Sequence, residues 1–141
     1  MMVYLDTSVA VPLFVPEPAS ERVTAWFAGC SDTIVAGDWI VTEFASALSL
    51  KERRREITTL QAQAVWSEFE AFCGTGLRLT PVTRKAFAEA ARMLRDAASG
   101  LRSGDSLHLA IAQEVGVSSL VTADATLAAN ARQRELPTIL F

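Results

Sequence analysis

The chain has 141 residues, half of them hydrophobic and 21% charged, with a formal net charge of −3. That length suits one domain over residues 1–141, and that composition excludes intrinsic disorder and supports a packed core. A pI near 5.1 excludes attraction of the whole surface to nucleic acid, leaving only a local patch able to do so.

No apolar stretch reaches the roughly 20 residues that a bilayer span needs, so no membrane association is expected. Met1 to Asp6 reaches an acid too soon for a signal peptide, which predicts a cytoplasmic protein. Cys30 and Cys73 lack metal-ligand spacing, and one pair makes no disulfide framework.

Met2 to Leu5 reads as a buried strand that stops at Asp6-Thr7-Ser8. A helix capped by Thr7 or Ser8 follows, with Pro12 disturbing its early ladder. Ser20 to Phe27 continues as helix to about Gly29, and Thr33 to Ala36 reads as a second strand. Asp38 caps a long helix reaching about Arg55, because Ile40, Val41, Phe44 and Leu48 recur at helical spacing. Thr58 to Phe72 is a further helix with Leu60, Ala64, Phe69 and Phe72 inward. Leu77 to Leu79 is a short strand, and Thr83 to Ala98 a helix ending near Gly100. Ser106 to Val115 is helical until Gly116 ends it. Ser119 to Thr122 is a strand, Ala125 to Arg134 a helix, and Thr138 to Leu140 a last strand. Apolar strands alternating with helices predict a three-layer α/β/α domain around a short, mainly parallel sheet. Ligand sites in such sheets gather beyond the carboxyl ends of the strands.

Four of the 16 acids stand out. Asp6 and Asp124 each follow a predicted strand and therefore face that edge. Either could simply cap the next helix, although Thr7 and Ser8 could cap in place of Asp6. Asp105, in Arg102-Ser103-Gly104-Asp105-Ser106-Leu107-His108, opens a helix and could also be a cap. Glu43 sits among Ile40, Phe44 and Ala47 on an apolar helix side, a costly place for a carboxylate without a partner or a cation. His108 shares a face with Asp105. As the sole histidine it reads as a supporting group rather than a zinc ligand. Together the acids make an oxygen-rich pocket suited to a hard cation, Mg²⁺ or Mn²⁺, able to activate water against a phosphodiester. Lys51, Arg53, Arg54 and Arg55 read as a solvated helix end or as phosphate contacts, as do Arg92, Arg95 and Arg102. Tyr4, Trp26, Trp39 and Trp66 read as core or interface residues.

Leu5-Asp6-Thr7-Ser8, a helical Glu43, Gly104-Asp105-Ser106-Leu107-His108-Leu109-Ala110 and Leu120-Val121-Thr122-Ala123-Asp124, in that order, resemble the PIN-domain ribonucleases. Size and order resemble the VapC-type toxins of toxin–antitoxin pairs in particular, over Val3 to Phe141. The resemblance implies that Asp6, Glu43, Asp105 and Asp124 form an acidic quartet around one or two Mg²⁺ or Mn²⁺ ions. Asp6 and Asp105 would be the principal ligands, with Thr7, Ser8 and Thr122 hydrogen-bonding the carboxylates or the ion's water. Arg53, Arg54 and Arg102 become candidate RNA contacts. It further implies endonucleolytic RNA cleavage, a VapB-like antitoxin partner and a homodimer. Pro12 departs from the plain aliphatics of that helix in many relatives.

Three other functions remain open. A catalytically weak PIN-like domain would bind without cleaving. An aspartate-based phosphatase would need a second acid two residues after Asp6, where Ser8 stands. A receiver-like module would need an acid pair at the first strand and a late lysine, and neither is found.

Overall fold

A computed structural model describes residues 1–141. Five strands form one sheet: β1 (Met2–Leu5), β2 (Thr33–Gly37), β3 (Arg78–Thr80), β4 (Ser119–Thr122) and β5 (Thr138–Leu140). Their order is β3-β2-β1-β4-β5, and every neighbouring pair is parallel. Seven helices cover it: α1 (Thr7–Phe14), α2 (Ser20–Gly29), α3 (Trp39–Arg53), α4 (Thr59–Thr75), α5 (Arg84–Leu94), α6 (Ser103–Val115) and α7 (Ala125–Gln133). This is the expected three-layer α/β/α architecture.

The pleat divides the core. Val3, Leu5, Ala36 and Val121 pack with Ile40, Phe44, Phe69 and Phe72 on the side of α1 to α4. Tyr4 and Leu120 point the other way, onto Met93, Leu109, Ile111 and Leu127 of α5 to α7. Because β1 and β4 are central neighbours, with Leu5 opposite Val121, Asp6 and Asp124 leave the sheet side by side.

The helix boundaries shift from the sequence reading at several points. Asp6, not Thr7 or Ser8, holds the cap position of α1, yet its side chain caps nothing. Pro12 lies inside α1 without ending it. Asp38 precedes α3 without a side-chain cap bond. The stretch predicted as one helix to Ala98 stops at Leu94, and Ala97–Ser99 forms a separate 3-10 turn whose Gly100 adopts φ 68°. Helix α6 starts at Ser103 rather than Ser106, so Asp105 sits within its first turn. On α4, Leu60 is 78% exposed and Ala64 is exposed, contrary to expectation. Phe69 and Phe72 are buried as expected, and Ala62 joins them, with Val65, Trp66 and Cys73 half-buried beside them.

Candidate active site

Asp6 is 2% exposed, a location that a carboxylate tolerates only when its oxygens are satisfied. Its Oδ2 accepts hydrogen bonds from Ser8 Oγ at 2.5 Å and Thr122 Oγ1 at 2.8 Å. Both hydroxyls are themselves anchored: Ser8 Oγ accepts from the Ala123 amide, and Thr122 Oγ1 from the Asp124 amide. Asp6 is further fixed by its own amide, which donates to Val121 O at 3.0 Å. The end of β1 and the end of β4 are thus laced together through one carboxylate.

Asp124 does cap α7, its Oδ1 accepting from the Leu127 amide at 2.8 Å. That bond uses one oxygen and holds the carboxyl at the sheet edge. Glu43 enters from the first turns of α3. Its Oε1 accepts from Thr7 Oγ1 at 3.1 Å and pairs closely with His108 Nε2. The same imidazole nitrogen lies 3.5 Å from Asp6 Oδ1. His108 is fully buried, and its Nδ1 meets Tyr4 Oη at 2.8 Å.

Asp105 projects from the first turn of α6 into this group. Burial first, and then the charges of Asp6, Asp124 and Glu43, raise its carboxyl to about 6, against a lowering by His108. The other three acids singled out in the sequence therefore all act on Asp105. His108 feels the same field. Burial opposes its charging, but the hydrogen bond to Glu43 and the charges of Asp6, Glu43 and Asp105 prevail, and its value stands above that of an ordinary imidazole.

Gly104 makes the convergence possible. A Cβ there would lie 2.9 Å from Glu43 Oε2 and 3.3 Å from Trp39 Nε1, so any larger residue would displace the Glu43 carboxylate. The Trp39 Nε1 atom is buried beside it without a protein partner. Tyr4, Trp39 and Gly104 were not singled out as site residues in the sequence. The alternation of β1 could have turned Tyr4 toward α6, and a glycine one residue before Asp105 was a visible sign of close approach.

The basic residues are distributed differently. Arg102 is exposed at the cap position of α6, three residues before Asp105. Arg53 and Arg54 lie ten and eleven residues beyond Glu43, at the far end of α3, about 15 Å along its axis. Arg53 donates to Ser49 Oγ, and Lys51 pairs with Glu17 and Glu56. Arg92 is held by Glu89.

The donor set is carboxylate oxygen, hydroxyl oxygen and one imidazole already engaged. That is the chemistry of a hard cation rather than zinc. No three His, Cys, Asp or Glu groups close up tightly enough to enclose an ion alone. Mg²⁺ in general binds through one or two carboxylates and keeps several waters. The mutual repulsion that lifts Asp105 is what a dication would relieve.

This sheet order, with acids at the ends of β1 and β4 and at the starts of α3 and α6, defines a class of protein: the chain belongs to the PIN-domain family, whose profile matches residues 3–133. Within it the chain stands among the VapC-type members. It is 30% identical over 125 residues to "Ribonuclease VapC45" of Mycobacterium tuberculosis, covering 86% of this chain and 82% of that one. Among solved structures it is similar to M. tuberculosis VapC20, described as a sarcin–ricin loop cleaving toxin, with a TM-score of 0.74 and 17% identity over 91% of this chain and 94% of that one. It is also similar to VapBC2 from Rickettsia felis bound to a DNA fragment from its promoter, with a TM-score of 0.68 and 15% identity over 99% of this chain and 98% of that one. These two structures share its fold.

Proposed function

We propose that this VapC-type protein, one domain over residues 1–141, is a divalent-cation-dependent endoribonuclease acting as the toxin of a toxin–antitoxin pair. The observation that carries this reading is the convergence of Asp6, Glu43, Asp105 and Asp124 from four separate places in the chain, where burial and the other three charges together raise Asp105 to about 6.

Asp6 and Asp105 would hold Mg²⁺ or Mn²⁺, with Glu43 and Asp124 completing the acidic wall. When bound, the ion would activate water and offset charge at the phosphorus of the scissile phosphodiester. The chain's own residues do the positioning. Ser8 and Thr122 tie down Asp6 Oδ2, while Thr7 and His108 tie down Glu43 Oε1. Each acid is held by one oxygen and keeps the other for use. Arg102, exposed just before Asp105, is placed to hold a phosphate beside the cleavage point. Arg53 and Arg54 would meet RNA only further along its backbone.

RNA as substrate is supported by the ribonuclease name of the 30% identical relative. A VapB-like antitoxin is supported by the VapBC2 structure of similar fold. A homodimer and a cytoplasmic location complete the proposal; no helix is long and apolar enough to cross a membrane. The phosphatase reading loses support, because Ser8 spends its hydroxyl on Asp6. The loose grouping of ligands favours one second reading, a PIN-like domain that binds RNA and cleaves it weakly.

Purified protein incubated with RNA and Mg²⁺, with cleavage sites mapped by primer extension, decides between them. Discrete cuts that vanish with EDTA and with Asp6→Ala are expected. A folded wild type that retains RNA without cutting it supports the binding domain, and undiminished cutting by folded Asp6→Ala removes the proposed site.

A further inference from the structure

Two buried residues behind the acids are not accounted for by cation binding. Tyr4 Oη accepts a hydrogen bond from the Gly37 amide at 3.1 Å, and an amide can only donate. The phenol's own proton is therefore available to His108 Nδ1, 2.8 Å away. An ordinary phenol keeps its proton at neutral pH.

This arrangement settles where the imidazole proton sits. In the neutral ring, Nδ1 accepts from Tyr4 and the single hydrogen lies on Nε2. In the cation both nitrogens carry one. Nε2 thus donates in either state, and its nearest acceptor is Glu43 Oε1, with Thr7 Oγ1 at 3.2 Å and Asp6 Oδ1 at 3.5 Å farther off. Thr7 Oγ1 donates to the same oxygen. Glu43 is then gripped through Oε1 alone, and Oε2 is turned toward Gly104, next to Asp105.

We propose that Tyr4 and His108 are positioning residues that orient the Glu43 carboxylate, Tyr4 locking the ring and His108 Nε2 donating to Oε1. The inference rests on the nuclease reading above. Its content is a chain of donors, Gly37 N–H to Tyr4 to His108 to Glu43, running from the end of β2 through the core to the acid cluster. Partners that orient ligands in this way typically contribute about 10- to 100-fold in metal affinity or activity.

The test uses the full chain and three measurements: Mn²⁺ titration followed by electron paramagnetic resonance of the free ion, nitrogen NMR of the histidine ring, and RNA cleavage. The wild-type spectrum should show a protonated Nε2. His108→Leu should weaken Mn²⁺ binding about 10- to 100-fold, while His108→Gln, whose amide nitrogen replaces the Nε2 donor, should restore most of it. Tyr4→Phe should leave the ring in both tautomers and weaken Mn²⁺ binding to a smaller extent. A wild-type ring bare at Nε2 overturns the proposal even if His108→Leu does not fold. If the wild type binds Mn²⁺ and cuts RNA, and folded Tyr4→Phe and His108→Leu match it, this inference alone falls. If the wild type binds no Mn²⁺, the nuclease reading falls and takes this inference with it.

Discussion

Thr122 and Asp6, 116 residues apart in the chain, meet at 2.8 Å where the two central strands end. Thr122 is completely buried, so its hydroxyl cannot be replaced by water without rearrangement. Thr122→Val keeps the shape and removes the donor. Asp6 would then keep only Ser8 on that oxygen, and the Asp124 amide would lose its acceptor. The expected loss is about 1–3 kcal/mol of stability, read by urea unfolding, together with weaker Mn²⁺ binding.

Asp105 gives a pH dependence with a definite sign. Its folded value of about 6 stands above the 3.8 of an unperturbed aspartate. The folded state therefore binds this proton more readily than the unfolded one. Without metal, this group favours folding below about pH 4, and that advantage is lost as pH rises toward 6. Asp105→Asn should raise the Tm of the metal-free protein at pH 7, by about 1 kcal/mol of stability once solvent screening of a half-buried group is allowed for. It should also abolish cleavage. Calorimetry at pH 4 and pH 7 checks the first effect, since the two proteins should differ only at the higher pH.

Gly104→Ala separates folding from function. Alanine favours a helix over glycine by about 1 kcal/mol, so α6 alone would gain. The new Cβ, however, would fall 2.9 Å from Glu43 Oε2. Stability close to wild type with cleavage reduced about tenfold or more is the expected pair of results. Unchanged cleavage would show that Glu43 has room to give way.

The core on the α1-to-α4 side makes a prediction unrelated to the acids. Phe44 stacks on Phe69 with centroids 3.8 Å apart and meets Phe14 edge-on at 5.8 Å. Phe44→Ala should cost about 3–5 kcal/mol by denaturant unfolding. Because Glu43 is the preceding residue on α3, activity should fall even where the variant remains folded.

The strands were legible in the sequence because a parallel strand buried on both faces is a short continuous apolar run, as at Met2–Leu5 and Ser119–Thr122. Three of the acids were legible for a related reason: Asp6 and Asp124 follow such runs, and Asp105 follows a glycine in a helix start. Glu43 was legible as a charge on an apolar helix side. The phase of α4 was not. Leu60, Ala62, Ala64, Val65 and Trp66 allow two helical faces, and Phe14, Phe27 and Phe44, from other elements, select the one continuous with Phe69 and Phe72. The Tyr4–His108 contact spans 104 residues and follows no local period, so no spacing rule could show it.

The central place of β1 bears on when the protein becomes competent during synthesis. Asp6 is made well before two of the groups that hold it, Thr122 and His108, and β4 must slot in beside β1 before Thr122 can reach it. A nascent chain that ends before β4 carries Asp6 and Glu43 and no finished acidic wall. On the proposed function, nothing able to cut RNA exists until β4 has been made and seated, which would leave a freshly made antitoxin the whole of that interval to be in position.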